Sequence, residues 1–165
     1  MNEPWNLKTD SSRTVDSLPT FIIFCEDENS EPIYFKYFET ELIKVNVIQD
    51  QKSKLDSIVN AVCHCQDNGL LDSAKPDSTI NNLETFVWCV YDRDKENNPS
   101  QIQKGNISFD EAIAVAETKG IQTAWSNDSF ELWVLLHFKE VDLNEKYCNR
   151  DLYYDELGIF RSNRT

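Results

Sequence analysis

An unbroken apolar run that ends in acid constrains this chain most: Phe86-Val87-Trp88-Cys89-Val90-Tyr91, followed by Asp92-Arg93-Asp94. Six consecutive apolar residues show neither helical spacing nor two-fold alternation, so they predict a strand buried on both faces. Such strands belong to parallel sheets covered by helices, and ligands bind those sheets just beyond the strand carboxyl ends. Asp92 and Asp94 stand at that rim, where two carboxylates can face one hard cation. Asp-x-Asp is also ordinary composition for a solvated loop, and the pair alone does not choose between the two.

A second apolar run, Thr20-Phe21-Ile22-Ile23-Phe24-Cys25, ends in Glu26-Asp27-Glu28-Asn29-Ser30-Glu31, four acids within six residues. Pro32 suits the first turn of a helix, where its missing N–H is not needed. Tyr34, Phe35, Phe38, Leu42 and Ile43 then form an apolar stripe at helical spacing. Lys44 to Ile48 predicts a short strand, and Leu55, Ile58, Val59, Val62 and Cys63 the core face of a second helix stopped near Gly69. Residues 70–83 and 95–106 are polar connections. Ser108-Phe109-Asp110-Glu111 is a capping box, which starts a third helix at Ser108 and ends it at Gly120. Ile121 to Trp125 is the fourth strand. The helix predicted from Phe130 to Phe138 is apolar almost all round, which predicts burial.

Strands and helices therefore alternate four times. That order predicts an α/β fold: a small, mainly parallel four-stranded sheet flanked by helices, over residues 19–165 as a single domain. Residues 1–18 are polar and aperiodic and predict a loosely held N-terminal arm, with Trp5 able to tuck onto the body. The tail from Lys139 offers Leu152, Tyr153, Leu157 and Phe160 for packing and no chemistry.

Charge and cysteine narrow the function classes. A formal net charge of -13 gives the chain no global attraction for phosphate backbones, so any grip on nucleic acid needs metal, a local basic strip or a partner. Five cysteines form no disulfide framework, and no signal peptide or membrane-length apolar run is present, which predicts a reducing cytoplasmic setting and no membrane. Cys63-His64-Cys65 lacks the second pair that structural zinc needs.

Glu26, Asp92 and Asp94 thus converge at one predicted sheet edge, with Ser126 and Asn127 beside them. An all-oxygen set of this kind suits Mg²⁺ or Mn²⁺, and crowding the carboxylates without a cation is costly. Arg93 should alternate away from its aspartate neighbours. The segments 24–35, 88–94 and 126–138 also resemble, in order, three blocks of the RloB-like family. That resemblance implies a Toprim-like (Rossmann-like) sandwich related to the nuclease half of overcoming-lysogenization-defect proteins. It implies metal-dependent cleavage of DNA or RNA in a prokaryotic anti-phage or restriction-associated setting, often beside an ATPase partner, and it is compatible with an oligomer.

Carried over residue by residue, the resemblance makes Glu26 a metal ligand or general acid/base, Asp92 and Asp94 the metal-holding pair, and Glu31 a further ligand. Glu131 falls in the last block with a chemical or structural role, and His137 reads as a satisfied core histidine. Asp27 departs from the family pattern, which has glycine there, and Asn29 stands where lysine is common. Both changes make the site more acidic. Two competing readings are an acidic interaction module docking on a partner ATPase, and an Asp-x-Asp phosphatase. The second is disfavoured because such enzymes place the nucleophile after the first strand.

Overall fold

The structure is a computed structural model that describes residues 18–51, 54–93, 99–127, 129–142 and 150–162. The N-terminal arm, Trp5 and Asp94 lie outside the described residues. Four strands, β1 (Thr20–Cys25), β2 (Lys44–Ile48), β3 (Thr85–Arg93) and β4 (Gln122–Asn127), form one sheet in the order β2-β1-β3-β4. Every pairing is parallel. The chain is thus α/β, with helices on both faces of a Rossmann-like sheet.

The helices are α1 (Ser30–Lys36), α2 (Lys54–Asp67), α3 (Pro99–Lys119), α4 (Phe130–Leu135) and α5 (Arg150–Ser162). Strand alternation divides the core in two. Ile22, Phe24, Val87, Cys89 and Tyr91 face α2 and α3, where they meet Ile58, Ala61, Cys65, Phe109, Ala112 and Ala116. Ile23, Cys25, Val45 and Val90 face the other way, toward Phe35 of α1. Burial pushes the thiols of Cys25 and Cys89 well up, so both behave as small apolar side chains.

β1 is followed by β2 on one side, while β3 and β4 lie on the other. The connection reverses at β1, so the carboxyl ends of β1 and β3 form the topological switch point of the sheet. That geometry places the site.

Several elements differ from expectation for identifiable reasons. Residues 99–106 are helical: α3 starts at Pro99, which fits a first helical position, and runs straight through the capping-box sequence at Ser108. α1 is a short helix, because Thr40 and Ile43 close a tight turn that leaves Leu42 at the surface. The buried stripe of α2 is Ile58, Ala61 and Cys65, rotated from the expected face, so Val59 and Cys63 are exposed. α4 is not buried all round. Only Phe130 and Leu135 are, while Trp133, Leu136 and Phe138 are about half exposed. Among the described residues the second sheet face carries α1 and α4, two short helices, and an apolar groove of about 800 Å³ there is lined by Tyr34, Trp88, Trp125 and Trp133 among others.

α2 and α3 end alike. Leu70 and Ile121 donate their N–H groups five residues back, to Cys65 and Ala116, around Gly69 and Gly120 at φ +71° and +72°. A Cβ on Gly69 would meet open space, whereas one on Gly120 would sit 3.1 Å from the Ile80 carbonyl oxygen. Gly69→Ala is therefore expected to cost about 1–2 kcal/mol of left-handed strain, and Gly120→Ala clearly more. Urea unfolding of both variants measures the difference, and equal losses would show that the Ile80 contact yields freely.

Candidate functional site

Glu26 follows β1 directly, and Asp92 is the penultimate residue of β3. Asp92 pairs with Ser126 of β4, so its carboxylate is held by a strand and not by a solvated loop. The Asp92 N–H donates to Glu26 Oε2 at 3.0 Å, which ties the two acids across the switch point. Alternation sends Asp92 to the α1 face with Val90, and Arg93 to the opposite face. There the Arg93 guanidinium lies 5.1 Å from the Phe109 ring centroid and 5.8 Å from that of Trp125. Arg93 faces away from the acids, as its position predicts.

Glu31 comes from the first turn of α1 and is only 1% exposed. Its Oε2 accepts the Asp27 N–H at 3.2 Å. Burial raises the Glu31 carboxyl to about 8 against that hydrogen bond, and the charges of Asp92, Glu26 and Asp27 push the same way. The carboxyl is thus mostly protonated at neutral pH. Ionising it calls for a nearby cation.

Asp27 does not take the left-handed conformation that the family's glycine would allow; among the described residues Asp50 is the one non-glycine with positive φ. Instead its two carboxylate oxygens accept the N–H groups of Asn29 and Ser30, opening α1. Partial burial opposes ionisation, yet the N–H groups of Ser30 and Asn29 outweigh it and hold Asp27 below the usual carboxylate range. Aspartate fits here because it supplies a local cap, and its charge is committed to that cap.

These residues line a polar cavity of about 260 Å³, together with Phe130 and Glu131 of α4 and Arg150 and Tyr154 of α5. Arg150 Nη2 stands 3.7 Å from Asp92 Oδ2. Tyr154 and Glu131 share the pocket wall; the Tyr154 hydroxyl titrates higher than usual through burial first and the neighbouring Glu131 carboxylate second. The tail read as chemically silent therefore supplies two walls of the pocket. An i, i+4 pair of polar side chains on one helix was the signal available in the sequence. Glu131 likewise faces the cavity. His137 is satisfied, with Nε2 2.9 Å from the Tyr34 hydroxyl, which also accepts the Trp133 Nε1–H at 2.8 Å; it lies at the surface and not in the core.

Oxygen donors alone line the Glu26–Asp92 side, the chemistry that Mg²⁺ or Mn²⁺ selects. Among the described residues no three His, Cys, Asp or Glu side chains are grouped closely enough to hold a metal. Mg²⁺ needs only one or two carboxylates and keeps its waters, so the Glu26–Asp92 pair fits it, with Asp94 beyond the described residues.

A family model described as RloB-like protein matches residues 21–163, most of the chain. The chain belongs to the RloB-like family. The match spans all the strands and helices that build the pocket of this RloB-like chain, α5 included. No curated protein and no solved structure matches it. Among the described residues no helix is long and apolar enough to cross a membrane.

Proposed function

We propose that this RloB-like chain is a divalent-metal-dependent nuclease of Toprim type, acting on DNA or RNA phosphodiesters as an effector in a prokaryotic anti-phage or restriction-associated system. The observation that carries the reading is the meeting of Glu26 and Asp92 at the switch point of the sheet, tied by a 3.0 Å hydrogen bond, with buried Glu31 behind them. Glu26 and Asp92 would hold Mg²⁺ or Mn²⁺, joined by Glu31 once ionised and by Asp94. The cation would polarise the phosphodiester and favour ionisation of its bound water. Glu26 also accepts the Asp92 N–H, which ties its carboxylate to the end of β3 before any ligand arrives. Phe130 supplies the apolar wall of the pocket on the α4 side.

A second reading has support of its own. The charge of -13 and the lack of a three-ligand group among the described residues suit an acidic interaction module docked on a partner ATPase. One experiment separates them: Mn²⁺ titration by calorimetry, with cleavage of labelled DNA and RNA followed in Mg²⁺ and in chelator. Metal uptake with chelator-sensitive cleavage is the expected result. No uptake and no cleavage, alongside a stable complex with an ATPase, would establish the second reading instead.

A further inference from the structure

The pocket leaves one question open: how a chain this acidic holds a phosphate at all. Among the described residues that line it, the ionisable side chains besides Tyr154 are the acids Glu26, Asp27, Glu31, Asp92 and Glu131 and a single cation, Arg150. The arginine is the first residue of α5, and its side chain is 43% exposed, so part of the guanidinium faces the cavity. Its Nη2 lies 3.7 Å from Asp92 Oδ2, so the guanidinium and the carboxylate meet as charges at the pocket wall. A guanidinium offers five N–H donors in a planar fork that matches phosphate oxygens, which a point-charge ammonium cannot reproduce. Tyr154, one turn on, lines the same pocket as Arg150 and faces Glu131 of α4, on which α5 packs.

Size adds a second constraint. At about 260 Å³ the cavity falls below the roughly 300–1,000 Å³ of pockets that engulf a whole small-molecule ligand. It can take a phosphodiester group and a hydrated cation while the bases stay outside.

We infer that Arg150 is the phosphate-binding residue of this pocket, and that the pocket takes the nucleic-acid backbone as a phosphodiester without reading base identity. The inference rests on the metal-site reading above. Arg150 turns from Asp92 to a nonbridging phosphate oxygen when a cation takes over the Asp92 charge. Contacts of this kind position the backbone and carry no sequence information.

The test uses dimethyl phosphate as the probe, with the Mn²⁺-loaded protein and ³¹P relaxation as the readout. Arg150→Gln should weaken dimethyl phosphate by about tenfold or more, as expected for one lost charge-assisted contact, while Mn²⁺ binding is kept or strengthened because a positive charge beside Asp92 is gone. Arg150→Lys should recover part of the loss, since charge returns without the fork. Should the glutamine variant fail to fold, the lysine variant alone must still bind the probe several-fold more weakly than the parent. Unchanged phosphate binding with intact Mn²⁺ uptake would overturn this inference alone. A parent protein that takes no Mn²⁺ would overturn the nuclease reading and this inference together.

Discussion

Glu26→Gln and Asp92→Asn are each expected to lower divalent-dependent cleavage by about three orders of magnitude, roughly 4 kcal/mol of transition-state stabilisation. Both substitutions keep shape and remove charge. The glutamine carbonyl oxygen can still accept the Asp92 N–H that Glu26 Oε2 accepts now, so the backbone link across the switch point survives. Asparagine at 92 keeps the strand pairing with Ser126. It also removes the charge that, after burial, does most among the neighbouring acids to raise Glu31. Thermal stability should therefore hold or rise while Mn²⁺ affinity falls. Cleavage rates and melting temperatures of the two variants check this, and parental cleavage in both would remove Glu26 and Asp92 from the chemistry.

The sheet and the acids were legible because a parallel strand covered on both sides has to be continuously apolar, and the change to acid marks its carboxyl end. Thr20–Cys25 and Phe86–Tyr91 carry that signal in full. Only pairing with β4 extends β3 through Asp92, and no local pattern encodes a partner strand. The start of α3 is hard to read because residues 95–106 are mostly polar and a strong capping box lies downstream. Pro99 was the better start signal, and the longer helix overrode the local cap. α4 shows the limit of hydrophobicity as a measure of burial. Apolar character all round predicts a covered helix, yet Trp133 and Phe138 stay half exposed beside an open groove. The i, i+4 spacing of Arg150 and Tyr154 puts them on one helix face, but nothing local ties that face to the acids, which it meets through the packing of α5 on α4, more than fifty residues along the chain from Asp92.

Glu31→Gln is expected to flatten the pH dependence of stability and to stabilise the metal-free protein near neutrality. The sign follows from where the proton sits. Burial raises the Glu31 carboxyl from 4.5 to about 8 in the folded chain, opposed by the Asp27 N–H and reinforced by the charges of Asp92, Glu26 and Asp27. Below 4.5 both folded and unfolded chains hold the proton, and the carboxyl imposes no penalty. Between 4.5 and 8 the unfolded chain has released a proton that the folded chain retains, so stability falls as pH rises, by at most about 1.4 kcal/mol per pH unit. Above 8 the loss levels off. Glutamine cannot ionise, and its carbonyl oxygen can keep the bond from Asp27. The variant should match the parent at pH 4 and exceed it by a few kcal/mol at pH 7.5, as read by urea unfolding across that range. Mn²⁺ should reduce the parent's slope, because a cation at Glu26 and Asp92 cancels the charges that add to burial in holding the Glu31 proton. Parallel pH profiles for parent and variant would show that Glu31 ionises normally, and that the acids of this pocket do not crowd one another enough to call for a cation.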